Sequence, residues 1–234
     1  MNMNESLTQK IRDDFDRVAL YDRECWNHNN HYHRFLLKQL PEHCDTILDI
    51  GCGTGEFSRR LANRARRVTA IDLSPNMIEV AKQRSRRFAN IEFHVSDVSQ
   101  WTFPVEQFDA IASIATLHHL PTEPLLPQLK AALKPGGTLA ILDLLKHETL
   151  LDWFSDSIAV PLNWIFQALK HRQIQPSPEA AAAMRAHALT DQYLTLSQAQ
   201  QIYRHSMKGV KVRKHLFWRY SAIWEKSETP DCSH

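Results

Sequence analysis

No two of the four cysteines, Cys25, Cys44, Cys52 and Cys232, stand in a CxxC pair. That argues against a zinc site of the usual spacing and against a disulfide framework. No apolar run approaches the length of a membrane span. The opening Met1-Asn2-Met3-Asn4-Glu5-Ser6 is polar and acidic, unlike a secretory signal, so a soluble cytoplasmic chain is expected. Charge of one sign is lacking too: 28 basic against 26 acidic residues leave +2, and nothing in the total asks for an acidic partner such as nucleic acid. What remains is ordinary globular composition, 43% hydrophobic and 23% charged. At 234 residues the chain is long for one minimal domain and short for two, which predicts a single domain with an elaboration. That length can bury a core without disulfides or a structural metal.

From Asp45 to about Asp143, short apolar β-type runs alternate with helical patterns. Strands are expected at Thr46 to Ile50, Val68 to Ile71, Ile91 to Val95, Phe108 to Ser113 and Thr138 to Leu142. Their near-continuous apolar character suits strands buried on both faces. Ser74-Pro75 offers a helix cap followed by proline at the first helical position, with Met77, Ile78 and Ala81 on one face. Thr122 is expected to cap a helix carrying Leu125, Leu126, Leu129 and Leu133, and Pro135-Gly136-Gly137 to stop it. Strands and helices in this order read as an α/β doubly wound sheet.

The flanks differ. Residues 1–40 read as a helical lid segment rich in aromatics and histidine, and 41–145 as the α/β core. Residues 146–200, broken at Pro161 and Pro176-Ser177-Pro178, read as a helical cap insertion over the carboxyl edge of the sheet. Residues 201–226 are expected to give a final helix and a closing strand pair, Lys211 to Leu216 and Phe217 to Trp224. Residues 227–234 read as a disordered tail.

The central motif is Leu48-Asp49-Ile50-Gly51-Cys52-Gly53-Thr54-Gly55-Glu56-Phe57-Ser58, placed after a strand and before a helix. That is where a glycine-rich turn lets backbone approach a nucleotide-like ligand. The spacing is GxGxG. A dinucleotide fingerprint needs a third glycine where this chain has Glu56, and a carboxylate in the first helical turn repels a pyrophosphate. S-adenosylmethionine carries no phosphate and is not obstructed. Asp72, 17 residues beyond Gly55 at the end of the second strand, is placed to accept hydrogen bonds from both hydroxyls of a ribose. Asp97, in Ser96-Asp97-Val98 after the third strand, is placed to accept from an adenine amine, with Val98 against the ring.

With these residues in place, the chain resembles the class I S-adenosylmethionine-dependent methyltransferases of the small-molecule kind, similar to those of ubiquinone and menaquinone biosynthesis. Four stretches carry the likeness in order: LDIGCGTG at 48–55, AIDLS at 70–74, SDV at 96–98, and FDAIASIATLHHL followed by LKPGGTLAILD. The resemblance implies a Rossmann-like seven-stranded sheet with an antiparallel last strand. It implies that Asp49, Gly51, Gly53 and Gly55 hold the methionine moiety, Asp72 the ribose and Asp97 the adenine. Leu73, Met77, Ser96, Val98 and Ser113 complete the implied cofactor site, with S-adenosylhomocysteine as product.

Methyl transfer asks for in-line positioning, exclusion of water and, for a poorly ionised acceptor, a base. His118 is the candidate base, next to His119; His33 and Tyr21 are weaker candidates. His28, His31 and His33 do not repeat at i, i+4 and have no companion ligand set, so no metal site is expected. Ser113-Ile114-Ala115-Thr116 lacks the Pro-Pro-aromatic motif of adenine-amine enzymes, and no cysteine between Cys52 and Cys232 can serve as a cytosine-5 nucleophile. The basic residues Arg59, Arg60, Arg64, Arg66, Arg67, Lys82, Arg84, Arg86 and Arg87 read as solvated helix faces, which disfavours a nucleic-acid partner. The expected activity is methylation of a small, partly apolar metabolite. The alternatives are a non-catalytic cofactor-binding protein and, against Glu56 and Ser58, an NAD-dependent dehydrogenase.

Overall fold

In the computed structural model, residues 3–22, 27–146, 191 and 193–228 are described. The expected cap insertion therefore lies almost wholly outside the described residues, as does the tail beyond 228. Three N-terminal helices, α1 (Met3–Ala19), α2 (His28–His31) and α3 (His33–Leu37), precede the sheet. The core then runs β1 (Cys44–Ile50), α4 (Glu56–Leu61), β2 (Ala65–Asp72), α5 (Pro75–Arg84), β3 (Ile91–Val95), β4 (Phe108–Ile114), α6 (Thr122–Ala132) and β5 (Leu133–Leu144). It closes with α7 (Leu196–Ser206), β6 (Lys211–His215) and β7 (Arg219–Glu225).

The sheet order is β3-β2-β1-β4-β5-β7-β6. Strands β1 to β5 are parallel neighbours, and β7 runs antiparallel to both β5 and β6. Helices cover both faces. Leu125, Leu126 and Leu129 of α6, with Ala199 and Tyr203 of α7, pack on Leu48, Ile50, Ile111, Leu139 and Ile141. Leu36 of α3 and Phe57 and Leu61 of α4 pack on Ile47, Val68, Ala110, Ala112 and Leu142 from the other side. Successive strand residues serve opposite faces, so nearly every position from Ile47 to Ile50 must be apolar. A fully buried leucine such as Leu126 or Leu129 contributes roughly 1.5–3 kcal/mol. The strand order reverses between β1 and β4, and a crevice opens there at the carboxyl edge.

Two local expectations are corrected. Thr122 is the first residue of α6, after Pro121, and its hydroxyl bonds the Leu117 and Leu120 carbonyls instead of capping the helix. Pro135-Gly136-Gly137 comes soon after a helix end, but Leu133, expected on the helix, already belongs to β5. The helix stops at Ala132, and the strand runs through the triplet as an irregularity, with pairing moving from Phe108↔Leu133 to Ala110↔Thr138. The Gly136 N–H donates to Lys226 O at 2.8 Å and the Lys226 N–H to Gly137 O at 2.9 Å, so the chain end after β7 satisfies the distorted backbone. The closing pair forms as expected, except that Phe217 and Trp218 sit in the turn at φ 59° and 55°.

Among the basic residues read as solvated, three are partly buried and tie segments together. Arg59 donates to Thr54 O at 3.1 Å, Arg64 to Leu37 O at 2.6 Å, and Arg84 to Asp22 O at 2.7 Å. Arg60, Arg66, Arg67, Lys82, Arg86 and Arg87 are exposed.

Candidate functional site

A cavity of about 460 Å³ opens at the crevice. That is a usual size for small-molecule sites, about 300–1,000 Å³. Its floor is made by the strand ends: Gly51 and Gly53 after β1, Asp72 and Leu73 after β2, Ser96, Asp97 and Val98 after β3, and Ile114, Ala115 and Thr116 after β4. Met77 of α5 lines it as well, and Leu7, Thr8, Ile11 and Phe15 of α1 form an apolar wall, with Leu120 and Pro121 also at the cavity.

The glycine turn holds its shape through the two buried aspartates. Asp72 accepts the Gly53 N–H at 2.8 Å and the Ser74 N–H at 2.9 Å, which ties the β1 turn to the β2 turn. Asp49, 2% exposed, accepts the Ser58 hydroxyl at 2.6 Å and thereby fixes α4 to the end of β1. Gly55 supplies the α4 N-cap at φ 77°. At Gly51 (φ +70°) a Cβ would fall 1.9 Å from Thr116 Oγ1, so the turn and the post-β4 loop touch without room for any side chain.

Burial raises the Asp49 carboxyl to about 7, with the Ser58 hydrogen bond opposing and the charge of Asp72 adding to the rise. Burial also raises Asp72 to about 6, the Ser74 and Gly53 N–H groups opposing and Asp16 adding. Both folded-state values stand above the ordinary 3.8, so these groups favour the fold when protonated. That contribution is complete below about pH 4 and is lost as pH rises through about 6 and 7.

Eight of the eleven cofactor positions expected from the sequence line this one cavity: Gly51, Gly53, Asp72, Leu73, Met77, Ser96, Asp97 and Val98. The other three lie behind it. Asp49 and Gly55 brace the turn, and the buried Ser113 donates to Ile50 O at 3.0 Å across β1 and β4. Asp97 accepts from the Ser99 N–H at 2.8 Å while lining the cavity. Glu56 turns to α2 and α3, accepting from Asn30 Nδ2 at 3.4 Å. His33 packs on Phe57 and is neutral, burial and the nearby Arg60 and Arg59 lowering it to about 3; its 3.6 Å approach to Glu56 is thus no ion pair. Tyr21 is exposed. Of the two adjacent histidines, His119 lines the cavity, whereas His118 turns its Nδ1 to Asp143 Oδ1 at 2.6 Å.

The α1 wall was not foreseen residue by residue. Its signal is the stripe Leu7, Ile11, Phe15 at i, i+4, i+8, one face of a helix. What seats the helix is polar: Asp16 accepts the Ser74 hydroxyl and the Asn76 N–H (3.0 Å), and so caps α5 from outside that helix. Asp22 takes the Arg84 guanidinium and the Thr54 hydroxyl (3.0 Å). Asp16→Ala is expected to cost about 1–2 kcal/mol of α1 docking. Amide hydrogen exchange should then accelerate in α1 while staying unchanged in β1 and β4; equal acceleration in both would contradict this seating.

Known proteins resemble this chain in sequence and fold. Residues 47–137 fit the family model described as "Methyltransferase domain". The 2-phytyl-1,4-naphtoquinone methyltransferase of Nostoc sp. is 34% identical over 67% of this chain and 76% of that protein. An uncharacterized methyltransferase of Mycobacterium tuberculosis is 28% identical over 85% of this chain and 96% of its own length. Among solved structures, the DhpI–SAH complex shares the fold with a TM-score of 0.64 at 22% identity, covering 96% of this chain and 97% of that one. The chain belongs to the class I S-adenosylmethionine-dependent methyltransferase family.

Proposed function

We propose that this methyltransferase acts on a small, partly apolar acceptor, a reduced quinone-like ring being the leading class, and that the cofactor lies along the floor of the cavity. The carrying observation is the two-sided character of that cavity, with Asp72 and Asp97 on the floor and Leu7, Ile11, Phe15 and Leu120 at the walls. In this reading Asp72 accepts from the ribose diol, Asp97 accepts from the adenine amine, and Val98 packs on the ring. The backbone of Gly51 and Gly53 faces the methionine end, braced by Asp49. The apolar wall excludes water and aligns the acceptor's nucleophile with the methyl group, which the sulfonium already activates. The relative named for a 2-phytyl-1,4-naphtoquinone substrate is consistent with an acceptor of this shape. Among the described residues no helix is long and apolar enough to cross a membrane.

The test is calorimetry with S-adenosylmethionine, S-adenosylhomocysteine and NAD, followed by transfer of a labelled methyl group to a panel of naphthoquinols, fatty-acyl and amine acceptors. Label appearing in the naphthoquinols supports the acceptor class, and label confined to the amines sinks it. Failure to bind either adenosyl ligand would remove the placement of the cofactor.

A pH dependence follows. Ribose hydroxyls bond best to an ionised carboxylate, so S-adenosylhomocysteine affinity should rise with pH through about 6, the Asp72 value. Ligand-free stability should fall over the same interval. Paired thermal melts, with and without ligand, should therefore diverge between about pH 5 and pH 8. Parallel curves would deny Asp72 its role.

A further inference from the structure

One group of buried titratable side chains beside the cavity has no part in holding the cofactor. The short 3₁₀ turn Leu117–His119 sets two imidazoles side by side, with ring centroids 3.9 Å apart. His118 Nδ1 lies 2.6 Å from Asp143 Oδ1, and the His118 backbone N–H donates to Asp143 Oδ2 at 2.9 Å. Asp143 is 1% exposed and also accepts the Leu144 N–H. An ionised carboxylate only accepts, so Nδ1 carries the His118 proton and Nε2 presents its lone pair on the far side of the ring. What that lone pair meets is another carboxylate: Asp191 Oδ2 is 3.9 Å away. Its other oxygen, Oδ1, lies 3.6 Å from His119 Nδ1. Tyr193 donates its hydroxyl to Asp191, which orients that carboxylate.

A buried lone pair facing a carboxylate is repulsive unless positive charge stands between them. A cation seated between them would offset that repulsion. Two features favour the cation. One ligand atom from each of His118, His119 and Asp191 lies within 4.8 Å of the others. Metal bonds of about 2.0–2.2 Å set adjacent ligands about 3.0–3.4 Å apart, so small side-chain rotations close the set. The second feature is Asp143, since metal-binding imidazoles commonly donate the opposite N–H to a carboxylate that fixes tautomer and ring orientation.

We propose that His118 Nε2, His119 Nδ1 and the Asp191 carboxylate form a binding site for one divalent first-row transition cation. Two imidazoles and one carboxylate suit Zn²⁺ or Fe²⁺ and do not suit Mg²⁺ or Ca²⁺, which take oxygen ligands. Among the described residues these three are the ligands, which fill three of the four positions of a tetrahedral ion. His119 is shared with the cavity wall, where its ring meets Phe15 edge-on at 5.6 Å. An acceptor hydroxyl bound at the fourth position would lose its proton at lower pH; this use of the cation, unlike the site itself, rests on the methyl-transfer reading. His118 is then a ligand and not the general base its place in the sequence suggests. Asp191 stands 72 residues beyond His119, so no local spacing could have announced the set.

The test uses the full chain, stripped with chelator and dialysed, then titrated with Zn²⁺ by calorimetry and with Co²⁺ by visible absorption. One tight equivalent is expected, with ligand-field bands for Co²⁺. Asp191→Asn and His119→Ala should each weaken binding at least tenfold, and Asp143→Asn, acting through His118, about 10–100-fold. Asp191→Asn should still bind S-adenosylhomocysteine, which shows that it is folded. No stoichiometric binding of either ion by a chain that binds S-adenosylhomocysteine would overturn the proposal. So would binding that survives both Asp191→Asn and His119→Ala, which would place the ion on other histidines. If the parent chain failed to bind S-adenosylhomocysteine, the cofactor placement would fall while the metal titration kept its meaning.

Discussion

Asp72→Ala is expected to weaken S-adenosylhomocysteine binding by about a hundredfold to ten-thousandfold. In the proposed complex the carboxylate accepts two hydroxyl hydrogen bonds, each charge-assisted and worth about 1.5–3 kcal/mol. Their loss corresponds to roughly two to four decades in affinity. The same carboxylate holds the Gly53 and Ser74 N–H groups, so alanine also leaves two loop donors without their acceptor. Asp72→Asn separates the contributions. It keeps an acceptor oxygen for one of them and removes the charge, and should fall between alanine and the parent chain. Calorimetry at about pH 8, where the parent carboxyl is ionised, gives the cleanest reading. Unchanged affinity in the alanine variant would mean that the cofactor lies elsewhere.

Gly51→Ala should be nearly as damaging and for a different reason. The added Cβ would sit 1.9 Å from Thr116 Oγ1, 2.4 Å from Cγ2 and 2.6 Å from Cβ, while the backbone is held at φ +70°. Left-handed backbone costs about 1–2 kcal/mol in a residue with a side chain. Overpacking adds about 1–3 kcal/mol. The thermal midpoint should drop by about 10 °C. Binding should be lost as well, because the turn and the post-β4 loop that must move apart are both cavity walls. Gly53→Ala is the control. Its Cβ meets nothing within 4 Å, so only the φ +52° penalty applies and a milder loss is expected. If the two variants melted together, the contact between Gly51 and Thr116 would not matter.

Much of the cavity floor was legible because each part sits beside its own punctuation. Asp72 ends a run of apolar strand residues, Asp97 follows the alternating strand β3, and the glycine turn separates a strand from a helix. Their identity and their place in the fold come from the same few neighbours. Thr122 shows how such signals mislead: a hydroxyl before a leucine stripe looks like a cap, but Pro121 takes that position and the hydroxyl finds the Leu117 and Leu120 carbonyls. Pro135-Gly136-Gly137 misleads likewise, since its irregular backbone is satisfied by Lys226, which lies about ninety residues downstream. The side of the cavity formed by α1 was least legible. Leu7, Ile11 and Phe15 become a wall only because Asp16 finds Ser74 and Asn76 on another helix, and Asp191 reaches the histidines across the fold. Docking of that kind is set by tertiary contacts with no local pattern of their own.

The bond from Asp16 to the start of α5 also orders events in time. A chain leaves the ribosome in order from its N-terminal side, so α1 is made before the core, yet the groups that seat it are not made until Ser74 and Asn76 have emerged. During that interval the Leu7, Ile11 and Phe15 face has no surface to cover, and an isolated helix of this length is marginal in water. This helix is therefore obliged to wait for the nascent sheet, and it docks as a late cooperative unit upon it.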